Sequence, residues 1–348
     1  MKNKIAFLVL AAMSAALFSC NKESELAESQ VSAPAAQKSL VTKAYGDKTP
    51  KIVVYVETND VNPLNAGDYC MCTTTCESTC TNTFVDIVEL FAANIHDDGN
   101  GDPCLYLNDK LTPVLEYGGA ATYVAPLQAK GMKVLLTVLG DWDGIGVANL
   151  SDTQATMFAK ILAYAVNRYG LDGIGFDDEY ADYSGSLVSG SYGNLITKLR
   201  AELGNDKLIT VFKYGNTSQI GTTAGAQLNY AYGDFLYWRS NSGISGVGTS
   251  QWAPYSINIG YTYSSTWQSY FQTVASNAAN GGYGALMFFN LRPISEVNPL
   301  PVFQKIAAGA YNSTVSLCTN VPTGVTSGDR PRDAGSITGG YTITYDDI

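Results

Sequence analysis

Short apolar runs alternate with amphipathic stretches along most of the chain. Lys51-Ile52-Val53-Val54-Tyr55-Val56-Glu57 and Lys133-Val134-Leu135-Leu136-Thr137-Val138-Leu139-Gly140 are almost continuously apolar, as strands buried on both faces are. Further strand-like runs lie at residues 84–95, 169–176, 208–212, 234–238, 256–260 and 283–290, and the Ala and Leu content of 84–95 also permits a helix. Helical patterns separate them. Residues 122–130 end at Gly131, and Ser151-Asp152 cap a run in which Met157, Ile161, Leu162, Ala165 and Val166 recur at helical spacing up to Gly170. Residues 195–203 stop at Gly204, and 266–279 and 302–310 complete the series.

Eight such repeats over roughly 260 residues predict a parallel sheet with helices outside, at a length that suits one closed ring. The expected fold class is α/β, a single (β/α)8 TIM barrel. A doubly wound open sheet is the competitor, but it would usually carry a Gly-rich phosphate loop after its first strand. The loop here is Thr58-Asn59-Asp60-Val61.

The ends of the chain follow other rules. Lys2 and Lys4 precede an apolar run over residues 5–18, the pattern of an export signal. It closes on Leu17-Phe18-Ser19-Cys20, which resembles a bacterial lipoprotein cleavage box with Cys20 as the lipidated residue. The acidic tract that follows resembles the surface-export signal of Bacteroidetes lipoproteins. The expected organisation is a lipoprotein signal peptide over 1–19, a flexible tether over 20–48, the barrel over 49–311 and a Ser/Thr/Gly-rich tail over 312–348. Residues 336–344 of that tail suit a small hairpin around Gly339-Gly340. The implied location is the bacterial outer membrane, lipid-anchored and exposed at the cell surface, and a monomer is expected.

Net charge is −10, so a nucleic-acid partner is not expected, because phosphate binding needs clustered Lys and Arg. Beyond Cys20 six cysteines remain, Cys70, Cys72, Cys76, Cys80, Cys104 and Cys318, which favours disulfides in an exported protein. The run from Cys70 to Cys80 also offers zinc ligands, but its spacing matches no common pattern, and His96 lies apart. No metal and no cofactor is expected. The 23 tyrosines include candidates for stacking on sugar rings.

Three consecutive acids, Asp177-Asp178-Glu179, close the run that begins at Tyr169. Strand side chains alternate, so Gly175, Asp177 and Glu179 share one face. Two carboxylates at the end of a buried strand are costly unless they are used. Barrels carry function at strand C-termini, and Glu57, Asp141, Trp142, Tyr214 and Asn290 fall at the ends of other strands.

The residues Leu171-Asp172-Gly173-Ile174-Gly175-Phe176-Asp177-Asp178-Glu179-Tyr180 resemble the fourth-strand signature of glycoside hydrolase family 18, Asp-x-x-Asp-x-Asp-x-Glu. The Asp-Asp-Glu-Tyr ending is most similar to the bacterial endo-β-N-acetylglucosaminidases. Val134 to Gly140, Phe91-Ala92-Ala93-Asn94-Ile95 and Lys198-Leu199-Arg200-Ala201 are similar in content and order, so the likeness spans about residues 50–311. It implies a (β/α)8 barrel that hydrolyses the GlcNAc-β-1,4-GlcNAc core bond of N-glycans with retention. Glu179 then falls on the general acid, and Asp177 on the residue that orients the substrate's acetamido group, the internal nucleophile. Asp172 begins the motif and supports the strand. Burial beside Asp177 is expected to raise the pKa of Glu179. Trp142, Tyr180, Tyr214 and Trp238 are the expected sugar platforms, with Glu57 and Asn290 as polar contacts. The sequence departs from the signature at Gly175, where the family has its middle Asp, and at Trp238-Arg239-Ser240-Asn241, where relatives carry an Asn-Pro-Tyr-like tract. Those departures motivate the alternative of a glycan-binding surface lipoprotein on a catalytically impaired barrel; a chitinase is the third reading.

Overall fold

The computed structural model describes residues 48–72, 82–183, 186–237, 242–319 and 321–348. The signal peptide, Cys20, nearly all of the tether, Cys76, Cys80 and Trp238 lie outside them. Barrel strands are β1 (Lys51–Glu57), β2 (Ile87–Asp97), β3 (Lys133–Leu139), β4 (Gly173–Asp177), β5 (Leu208–Phe212), β6 (Tyr230–Tyr232) and β8 (Ala285–Phe289). The seventh, β7, comes in two pieces, Trp252–Ala253 and Ser256–Asn258. Neighbours pair in parallel in the order β6-β5-β4-β3-β2-β1-β8. The first piece of β7 pairs with β6 and the second with β8, so one interrupted strand brings the two ends of the sheet together. The expected barrel is present.

Alternation sorts the strand residues into two shells. Val53, Tyr55, Ile87, Leu135, Tyr232 and Met287 pack inside the ring. Their neighbours Ile52, Val54, Val88, Leu136, Ile174 and Phe288 pack outward among the helices. Long helices follow four strands: α1 (Asp152–Tyr169), α2 (Ser191–Leu203), α3 (Ser265–Asn280) and α4 (Leu300–Tyr311).

Three expectations are corrected. The helix predicted over 122–130 is two short turns, Gly119–Tyr123 and Ala125–Ala129, because Pro126 has no N–H to continue a helix through it. The strand predicted over 234–238 lies earlier, at Tyr230–Tyr232, and Phe235–Tyr237 is a 3-10 turn. Residues 336–344 do not form a hairpin. Tyr341–Ile343 instead pairs antiparallel with Pro103–Leu107, beside β2.

The tail is woven into the barrel. Thr314–Leu317 pairs with Tyr69–Cys72, and Cys70 and Cys318 form a disulfide. Asp68, fully buried, accepts from Arg330 Nε at 3.0 Å and Nη2 at 3.1 Å, and from Gly328 N at 2.9 Å. Cys104 is a free buried thiol, which corrects the expectation that it is paired; it stands on Pro103–Leu107, opposite His96. Among the described residues no helix is long and apolar enough to cross a membrane, and no group of acids, Cys and His is placed to hold a metal.

Candidate active site

All five residues of β4 are buried. Outward-facing Phe176 packs edge-on against Tyr192 of α2, ring centroids 5.9 Å apart, which fixes the strand against its helix. The chain then turns, with Glu179 N donating to Asp177 O (2.9 Å) and Gly140 N, at the end of β3, donating to Glu179 O (2.9 Å). This turn holds both acids at the C-terminal mouth of the ring, on a cavity of about 490 Å³. Its walls include Tyr55, Glu57, Phe91, Tyr214 and Phe289.

The three acids divide their roles by burial. Asp178 points away from the cavity and is satisfied: it accepts from Asn216 N at 2.7 Å, Asn216 Nδ2 at 3.0 Å and the Tyr183 hydroxyl. Asp177 is 6 % exposed, and its Oδ1 is buried without a hydrogen-bond partner. Burial, then the charges of Glu179, Asp178 and Asp234, hold its carboxyl well above the usual carboxylate range. Glu179 is partly exposed and hydrogen-bonds the Tyr180 hydroxyl, which its charge and burial raise. The deep burial expected of Glu179 thus falls on Asp177. A buried carboxyl without a donor beside a reachable one is suited to gripping an amide N–H while its neighbour exchanges a proton with water or substrate.

No family model matches the chain. It is 34% identical over 259 residues to an endo-β-N-acetylglucosaminidase of Flavobacterium sp. (strain SK1022), covering 72% of this chain and 77% of the relative. It is equally 34% identical over 248 residues to endo-β-N-acetylglucosaminidase F1 of Elizabethkingia meningoseptica, covering 68% and 70%. EndoBT-3987 of Bacteroides thetaiotamicron, solved with a Man5GlcNAc product, aligns with a TM-score of 0.64 at 28% identity over 79% of this chain. The chain spans 64% of that structure. This chain belongs to the family 18 endo-β-N-acetylglucosaminidases. A family GH18 chitinase from Chromobacterium violaceum, at 17% identity and a TM-score of 0.51, shares the fold with it.

Within this chain the residues singled out from sequence fall into distinct places. Asp177, Glu179, Tyr180, Tyr214 and Glu57 line the cavity; Tyr214 stacks nearly parallel on Phe212, and Glu57 faces Arg292 at 3.8 Å. Trp142 stands on the rim, 68% exposed, its ring 5.6 Å from that of Tyr180. Asn290 is not among the cavity-lining residues; its Nδ2 donates to Asn258 Oδ1 at 3.2 Å. Asp172 lies at the opposite end of β4, where it accepts from Lys133 Nζ and Gln128 Nε2, both at 2.8 Å, and from Val134 N at 3.0 Å. It ties β3 to β4 and is remote from the cavity. Gly175 packs against the side chain of Glu89.

Sequence reasoning missed Tyr55, Phe91, Phe212, Met287, Phe289, Asp234 and Glu89. The first six line the cavity, and all of those but Asp234 look like strand interior in the sequence. Glu89 did leave a signal: a lone acid at the centre of Ile87-Val88-Glu89-Leu90-Phe91. It is fully buried, and burial pushes its pKa up to about 7 against the pull of hydrogen bonds from Thr210, Thr137 and Tyr232.

Proposed function

We propose that the chain hydrolyses the GlcNAc-β-1,4-GlcNAc core bond of N-glycans by substrate-assisted, retaining catalysis. The observation that carries this reading is the pairing of a buried, donor-less Asp177 with a reachable Glu179 on one aromatic-walled cavity. Asp177 accepts the acetamido N–H of the sugar at the cleaved bond and aims its carbonyl oxygen at C1. Glu179 gives its proton to the departing glycosidic oxygen as the C1–O bond breaks and the acetamido oxygen bonds to C1. Water then attacks C1, Glu179 takes its proton, and the acetamido oxygen leaves. Configuration is kept by the two inversions, without the second carboxylate nucleophile that other retaining enzymes use.

Support comes from the curated relatives, both endo-β-N-acetylglucosaminidases, and from the solved relative, which holds Man9GlcNAc2Asn as substrate in one structure. The chitinase likeness is one of fold alone, and nothing at the site favours the impaired-binder reading. The test is incubation with a high-mannose glycoprotein. Glycan release is expected from the wild type and a loss of about 10²–10⁴-fold in kcat from Glu179→Gln; a Glu179→Gln variant as active as wild type overturns the assignment. On the sequence signal alone, the protein is also proposed to be a monomer anchored in the outer membrane through Cys20. Labelling with a fatty-acid analogue should mark the wild type, and Cys20→Ala should abolish the mark.

A further inference from the structure

Glu89 is a fully buried carboxyl that the chemistry above does not use. It stands on β2, yet its side chain reaches across the interior of the ring to three other strands. Its Oε2 accepts from Thr137 Oγ1 on β3 at 3.0 Å. Its Oε1 accepts from Thr210 Oγ1 on β5 at 2.7 Å and from the Tyr232 hydroxyl on β6 at 3.4 Å. The reach is possible because β4, between β3 and β5, presents no side chain at this level. A Cβ on Gly175 would overlap Glu89 Oε2 and lie 2.8 Å from Thr210 Oγ1. Gly175 is not among the residues with positive φ, so its backbone does not demand glycine. The space does.

Gly175 and Asp177 share a strand face, roughly 7 Å apart along the strand. The carboxyl of Glu89 therefore fills the level directly beneath Asp177. Tyr55 on β1 pairs with Glu89 in register, and its buried hydroxyl has no hydrogen-bond partner, as Asp177 Oδ1 has none. Burial first, and then the charges of Glu89, Tyr232 and Asp177, raise the pKa of that hydroxyl.

We propose that Glu89 is a positioning residue for Asp177, supplying from β2 the carboxyl that the family signature carries on β4 where this chain has Gly175. It acts by setting the charge state of Asp177 from below. The titratable groups around the pair are Tyr55 on β1, Tyr232 on β6, Glu179 and Asp234 at the mouth, and, on the outer side of the strand, Asp178 and Tyr192 of α2. The proposal rests on the reading of Asp177 as the group that orients the acetamide.

Three variants and one titration test it. Glu89→Gln keeps an acceptor and fills the same space, so it is expected to fold. Its kcat on a high-mannose glycoprotein should fall about tenfold or more with KM little changed, and the acidic limb of its pH profile should move. Gly175→Asp alone should be inactive, because its carboxyl is driven into that of Glu89. Combining it with Glu89→Ala should recover at least about tenfold over either single change. A Glu89→Gln enzyme with wild-type kcat and pH profile, or a double variant no better than the worse single, overturns the proposal. A carboxyl ¹³C titration gives an answer without turnover: the Asp177 midpoint should drop in Glu89→Gln, since a like charge is removed. An unmoved midpoint refutes the coupling. If the wild type releases no glycan while the Asp177 midpoint does shift, the N-glycan reading fails and the coupling stands.

Discussion

The two acids that do not touch the cavity mouth, Asp178 and Glu89, shape the behaviour of those that do. Asp178 ties the end of β4 to the turn after β5 through Asn216, and to Tyr183 beyond the motif. Asp178→Ala leaves three partly buried donors unmatched, which costs about 1 kcal/mol or more. Thermal unfolding should show a lowered Tm, and activity should fall too, because Asp177 and Glu179 are the residues on either side. Glu89 has a different signature. Its folded-state pKa of about 7 stands above the value of 4.5 it has when unconstrained, so the folded protein holds that proton more tightly than the unfolded chain. The resulting stability is complete below about pH 4.5 and is lost as pH rises through about 7, amounting to roughly 3 kcal/mol at most. Asp177 and Asp86, both raised chiefly by burial, act in the same direction. The informative measurement is therefore a difference: the decline of Tm between pH 4.5 and 7.5 should be shallower in Glu89→Gln than in wild type.

At the scale of elements, amphipathic helices and long apolar strands were readable because one physical cause dominated each. Helix α1 has its apolar positions at helical spacing and a capping box, with Ser151 accepting from Gln154 N and the Gln154 side chain accepting from Ser151 N. Ser151→Ala should lower Tm by the equivalent of about 1 kcal/mol and leave kcat alone, since the cap stands on the protein surface. Strand β6 was misplaced for the opposite reason. Its Tyr230-Ala231-Tyr232 is less apolar than the following Phe235-Leu236-Tyr237, and its position is set by partners in the fold: Ile209 N donates to Asn229 Oδ1 at 2.9 Å, and Arg200 donates to the same oxygen and to Gln227 O. The acids of β4 were legible by their alternation. The cavity's walls were not, since Phe91, Phe212 and Phe289 differ from ordinary strand residues in nothing but which face of the ring they occupy.

On the scale of the whole molecule, the tail is the feature local patterning could not show. Several of its attachments join residues more than 200 positions apart: Arg330 with Asp68, Tyr123 with Asp333 at 2.6 Å, Arg332 with Lys110 O at 2.6 Å. Arg330→Met removes the main partner of a fully buried carboxylate. Loss of one side of such a pair costs on the order of 3–5 kcal/mol, so denaturant titration should give a lower midpoint, with turnover per folded molecule unchanged at low temperature. The same interior geometry has a historical side. Because the carboxyl of Glu89 lies where any side chain at 175 would grow, the two positions cannot be exchanged one at a time without passing through a crowded or an emptied ring. A lineage carrying this pair is held in place, and its descendants should keep glutamate and glycine together or replace both.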